Sequence, residues 1–93
     1  PGLGKEGALV ADLLKLLLKI RSRELNVAAR LIARSDDLEA LAAGRRDGIA
    51  MMQGWRYEVF GQAALDLVEG RMGFAVRGGK LVMSEIEPAA ADA

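Results

Sequence analysis

The sequence predicts a mainly α chain, a compact helical bundle of four to five helices with a C-terminal β-hairpin. Three observations predict it. Apolar residues between positions 6 and 25 recur at helical spacing. Ser35-Asp36-Asp37 and Gly44 bracket a second apolar run with a helix start and a helix stop. Gly78-Gly79 stands between two apolar runs of strand length.

The elements follow in order. Residues 1–5 read as a linker or arm. The first helix starts near Lys5 or Glu6 and ends near Leu25. Its Leu, Val and Ile residues cover slightly more than half the circumference, which predicts a central, mostly buried helix. Asp12, Lys15, Lys19, Ser22 and Arg23 share the opposite sector, and Arg21 falls inside the apolar arc with its stem on the core and its guanidinium at the edge. Asn26 can end this helix in a left-handed conformation. Val27 to Ala33 reads as a short helix or turn.

The next helix begins at Ser35-Asp36-Asp37, where the carboxylates favour the positive end of the dipole. Asp36 and Glu39 have the spacing of a capping box. Arg45-Arg46-Asp47-Gly48 is a polar loop, and Ile49 to Met52 an apolar patch about one turn long. A last helix runs from about Trp55 to Glu69. Tyr57, Phe60, Ala64, Leu67 and Val68 line its apolar side, and Glu58, Gln62, Asp66 and Glu69 its acidic side. Gly61 lies near the apolar edge, where it allows close packing against a neighbour at a propensity cost of ~1 kcal/mol.

In the hairpin, Gly-Gly fits a type I′ turn, which needs positive φ at both central positions. That register sets Val76 against Leu81 and Phe74 against Met83, all four expected to cover a helix. The helical domain is thus placed at 6–70, the hairpin packed on it at 71–87, and a disordered tail at 88–93.

Composition narrows the chemistry. The chain contains no Cys and no His. Disulfides, thiolate metal sites and the commonest general base are therefore excluded, so the chain by itself is expected not to be an enzyme. No catalytic residue and no metal ligand is assigned. The pairs Asp36/Asp37 and Glu85/Glu87 are better explained by a helix start and a strand's solvent face. Lys15 and Lys19 interrupt the run Leu13 to Ile20, which is too short to span a bilayer, and arginines follow it rather than precede it. A cytoplasmic chain with no membrane partner is expected. It opens on Pro1, as an excised or processed domain would.

Charge is polarised. Thirteen Lys and Arg balance thirteen Asp and Glu, yet residues 15–34 hold six basic residues and one acid. Lys15, Lys19 and Arg23 recur every four residues, about 6 Å apart along one face, a spacing that can follow a row of phosphates. Arg30, Arg34, Arg45 and Arg46 extend the patch if their segments fold back beside it. A plain solvated face is the alternative. No aromatic interleaves with these cations in the sequence, so base stacking is not expected.

Gly54-Trp55, followed by Phe60-Gly61, after a basic Leu-rich helix and a short Asp-started one, resembles the HRDC domain (helicase and RNase D C-terminal). The likeness is greatest to the C-terminal module of bacterial ribonuclease D, and it spans about Leu9 to Gly70. The resemblance implies an HRDC-like bundle that serves as an accessory RNA-binding domain of a 3′–5′ exoribonuclease in tRNA 3′-end processing. Such a domain positions substrate without cleaving it. The implied partners are RNA, as tRNA precursors and single-stranded 3′ ends, and the catalytic exonuclease domain of the same protein. That catalytic domain would need divalent metal ions, Mg or Mn, and this chain no cofactor. The hairpin departs from the helicase form of the module. Trp55, Tyr57, Phe60, Gly61 and Phe74 are expected to be structural, with Trp55 open to a second reading as a stacking or docking platform. The alternative function is a structural or protein–protein interaction module, which would use the acidic face of the last helix and the hairpin edge.

Overall fold

A computed structural model describes residues 4–86. Helix α1 spans Gly4–Leu25, α2 Ala29–Ile32 and α3 Ser35–Ala42. A 3-10 turn follows at Ala50–Met52. The last helix, α4 (residues 54–68), is built from Gly54–Arg56, a π turn at Tyr57–Gly61 and Gln62–Val68. Strands β1 (Met72–Arg77) and β2 (Lys80–Glu85) pair antiparallel. Gly4 and Lys5 already belong to α1 rather than to an arm, and the expected tail at 88–93 lies outside the described residues.

The ends of α1, α3 and α4 share one device, whereas α2 runs into an extended Ala33. After α1, the Val27 N–H donates to the Ser22 carbonyl at 3.1 Å and the Asn26 N–H to Arg23 at 3.3 Å. The same pair of bonds recurs after α3 (Arg45 to Ala40, Gly44 to Leu41) and after α4 (Arg71 to Asp66, Gly70 to Leu67). Each is a Schellman ending, which needs positive φ at one residue. Asn26 supplies φ 57°, as its sequence context suggested, and Gly44 supplies 103°. The α3 start differs from expectation. Arg34, not Asp36, is the N-cap residue, and its backbone N–H donates to the Asp37 carboxylate at 3.3 Å. The reciprocal half of a capping box is missing because a guanidinium cannot accept.

The core gathers Leu14, Leu17 and Leu18 of α1 with Ile32, Leu38, Leu41, Ile49, Met51, Phe60, Ala64 and Leu67. Phe60 is fully buried at its centre. Gly61 explains how α4 comes so close to the 3-10 turn. A Cβ there would collide with the Met51 carbonyl oxygen and stand 3.0 Å from Met52 Sδ and 3.1 Å from Tyr57 Cδ1.

The π turn was not foreseen. The Gln62 N–H reaches the Tyr57 carbonyl, five residues back, so the regular four-residue ladder is broken there. Arg21 meets this turn: its Nε donates to the Val59 carbonyl at 2.8 Å, and Nη1 pairs with Glu24 at 2.9 Å.

The hairpin has the expected register, with Val76 opposite Leu81 and Phe74 opposite Met83. Gly78 and Gly79 turn with φ 57° and 78°. Only its inner half covers the helices. Phe74 and Met83 pack on the core, whereas Val76 is 70% exposed and Leu81 41%. The tip stands beside α1 with a cleft between them rather than packed on it, so Lys80 and Leu81 border the helix without covering it. Helix α1 is also less buried than expected, since Leu9 and Leu13 stay exposed on the half the hairpin does not reach. No helix among the described residues is long and apolar enough to cross a membrane.

Candidate nucleic-acid interface

The stripe on α1 follows from helical spacing. Lys15, Lys19 and Arg23 are all exposed and spread over about 80° of the circumference. That spread decides which neighbour each one meets. Lys15 turns toward α2 and α3. Lys19 and Arg23 turn toward the hairpin.

On the first side is a cleft of about 440 Å³ between α1, α2 and α3. Leu18, Ala33 and Leu38 form its buried floor, and Lys15, Arg30, Arg34, Ser35 and Asp36 its rim. Arg30 and Arg34 reach it because the Schellman turn after α1 folds the chain back beside the helix. The amino end of α3 opens onto the same cleft and adds the positive end of its dipole, partly offset by Asp36. Three cations against one carboxylate leave the rim basic.

On the second side is a cleft of about 420 Å³, where Leu16, Lys19, Ile20, Arg23 and Glu24 of α1 face Lys80 and Leu81 of β2, and the Glu24 carboxylate is paired with Arg21. Lys80 was not singled out from the sequence. Its pairing with Arg77 across the Gly-Gly turn was readable from the register, but not the helix that the tip would approach.

Arg45 and Arg46 line neither cleft: Arg45 is bonded within its own loop, and Arg46 ties that loop to α3 and to the end of α4. Arg45 donates to the carbonyls of Asp47 at 2.7 Å and Gly48 at 3.3 Å. Arg46 binds the Glu69 carboxylate through Nε at 3.1 Å and Nη2 at 2.9 Å, and also the Leu41 and Arg45 carbonyls. A guanidinium fork can satisfy several carbonyls at once, so it serves a glycine-ended loop well. Among the described residues the ion pairs are Arg21–Glu24, Arg46–Glu69 and Arg71–Asp66, and none involves Lys15, Lys19, Arg23, Arg30 or Arg34. The last two pairs also neutralise part of the acidic face of α4.

The aromatic segment divides in two. Phe60 and Gly61 are buried, and Tyr57 and Phe74 are half-buried. Trp55, expected to be a core or half-buried residue packing where α4 begins, is 46% exposed. The Arg56 guanidinium lies over its ring, 4.7 Å from the centroid, and Arg56 Nε donates to the Leu31 carbonyl at 3.0 Å. Among the described residues no cluster of three or more His, Cys, Asp or Glu side chains is placed to hold a metal ion.

Comparison with known proteins adds the following. The chain is 70% identical over 87 residues to ribonuclease D of Sphingobium indicum, a match covering 94% of this chain and 22% of that protein. It is 55% identical over 85 residues to ribonuclease D of Zymomonas mobilis, and 44% over 80 residues to that of Bartonella henselae. The chain spans about a fifth of the length of these curated relatives. No model of a known family matches it, and neither does any solved structure.

Proposed function

From the premise that the chain is homologous to a segment of ribonuclease D, we propose that it is an accessory, HRDC-like domain that holds RNA for a ribonuclease D-like 3′–5′ exoribonuclease. The substrate class is tRNA precursors with single-stranded 3′ ends, in the cytoplasm. Cleavage, with its divalent metal ions, belongs to the remainder of such a protein. This chain contributes position only.

One observation carries the reading. Lys15, Lys19, Arg23, Arg30 and Arg34 are exposed, lie on α1, on α2 and at the start of α3 around two clefts that both border α1, and pair with no carboxylate among the described residues. Cations left free in a chain of zero net charge suit an anionic partner. Phosphate contacts of this kind are sequence-tolerant and weaken steeply with salt, because binding releases counterions.

The test is a titration of labelled tRNA and single-stranded RNA at ~50 mM and ~200 mM salt. It is repeated with Lys15→Glu, Arg30→Glu and Arg34→Glu combined. Binding that falls with salt and is lost in the triple variant is the expected result. Absence of binding at the lower salt, where counterion release is most favourable, would refute the reading.

A second reading has its own observation. Leu9, Leu13, Leu16 and Ile20 form one ridge on α1 that continues to Leu81 of the hairpin, and Leu9, Leu13, Leu81 and Val76 are all exposed. An apolar ridge beside a basic stripe suits docking onto the remainder of the parent protein. The two surfaces flank each other on α1, so one domain can both dock and hold RNA.

A further inference from the structure

We propose that Trp55 is a stacking platform for one unpaired RNA base, which narrows the ligand from RNA in general to single-stranded RNA. The proposal rests on the RNA-holding reading above and adds a base contact to what is otherwise a phosphate path.

Three features converge. Trp55 remains 46% exposed although it is the chain's largest apolar side chain. Arg56 lies over one face of the ring at 4.7 Å and is itself held by its bond to the Leu31 carbonyl at 3.0 Å. The ring is thus braced before any ligand arrives, and a braced aromatic loses little side-chain freedom on binding. Finally, Leu31 follows Arg30, whose side chain lines the basic cleft. The Arg56–Leu31 bond therefore ties the aromatic platform to the helix that carries the cleft's cation. The sequence separates Trp55 from Arg30 by two helical segments and a loop, and the fold joins them through α2.

The chemistry then selects the strand. Every base has a π face that can stack on an indole regardless of sequence, but in a duplex those faces are already stacked on neighbouring pairs. Only an unpaired nucleotide can offer a face to Trp55 while other phosphates of the same strand meet the cations of the cleft.

Trp55 is the sole tryptophan, so its emission reports on the ring directly. The full chain is titrated at low salt with a single-stranded oligouridylate of ~8 nucleotides, with an abasic oligomer of equal charge, and with a duplex. The expected result is quenching by the base-bearing strand alone, with affinity about tenfold above that for the abasic strand. Trp55→Ala should lower its affinity to the abasic level, and Trp55→Phe should keep most of it, both with unchanged circular dichroism. Equal affinities for the two strands with unchanged emission would overturn the platform and leave the phosphate reading intact. No binding by any strand overturns both.

Discussion

Arg21 Nε donates to the carbonyl oxygen of Val59 at 2.8 Å, across 38 residues of sequence, and so joins the C-terminal part of α1 to the π turn of α4. The bond accounts for an arginine inside an apolar arc. Its stem covers the core edge and its fork meets a carbonyl where the helical ladder is irregular. Replacing Arg21 with Met keeps the stem and removes the bond, and should cost about 1 kcal/mol of stability in urea unfolding. Glu24→Ala should cost under ~0.5 kcal/mol, since that ion pair is solvent-exposed. Equal losses for the two variants would show that the Val59 bond has no special weight.

Gly61→Ala should destabilise. Helix propensity alone favours Ala by up to ~1 kcal/mol. Here a Cβ would meet the Met51 backbone carbonyl, which cannot rotate away as a side chain would. Overpacking of this kind costs ~1–3 kcal/mol, so the packing effect wins and the midpoint of thermal unfolding should fall. A rise would mean that the 3-10 turn yields easily.

Lys80 tests the tertiary arrangement of the cations. Lys80→Glu should weaken RNA binding by about the same factor as Lys19→Glu, because both side chains line one cleft. Each exposed substitution should leave stability within ~0.5 kcal/mol of the unaltered chain. RNA binding that is indifferent to Lys80→Glu but sensitive to Lys19→Glu would confine the RNA path to α1, α2 and α3.

Arg46 and Arg34 should separate stability from binding. Arg46→Ala breaks the link to Glu69 and the bond to the Leu41 carbonyl, and should lower stability by about 1 kcal/mol with RNA affinity nearly unchanged. Arg34→Ala should do the reverse and reduce the salt slope of single-strand binding by ~0.7. Filter binding at several salt concentrations reads both. A matching loss of affinity in the two variants would return Arg46 to the interface.

The local features were legible because they depend on near neighbours in sequence. The α1 period, the left-handed Asn26, the Gly44 stop and the Gly-Gly turn with its register each follow from residues a few positions apart. The basic spacing on α1 was equally legible as a candidate interface. The roles of individual arginines were not. Arg45 and Arg46 look like Arg30 and Arg34 in composition, and only the fold shows two of them bonded to a loop and two facing a cleft. The π turn and the exposure of Trp55 were hidden for the same reason.

The sequence by itself determined the order of helices and hairpin, the left-handed stops at Asn26 and Gly44, and the existence of a basic face, since periodicity and turn chemistry act over a single turn or hairpin. The tertiary structure decided which cations carry no ion pair among the described residues, that Lys80 joins Lys19 and Arg23, and that Trp55 is tied to α2. Those outcomes depend on which carbonyls and carboxylates lie within reach once distant segments pack, a distance that no local pattern encodes.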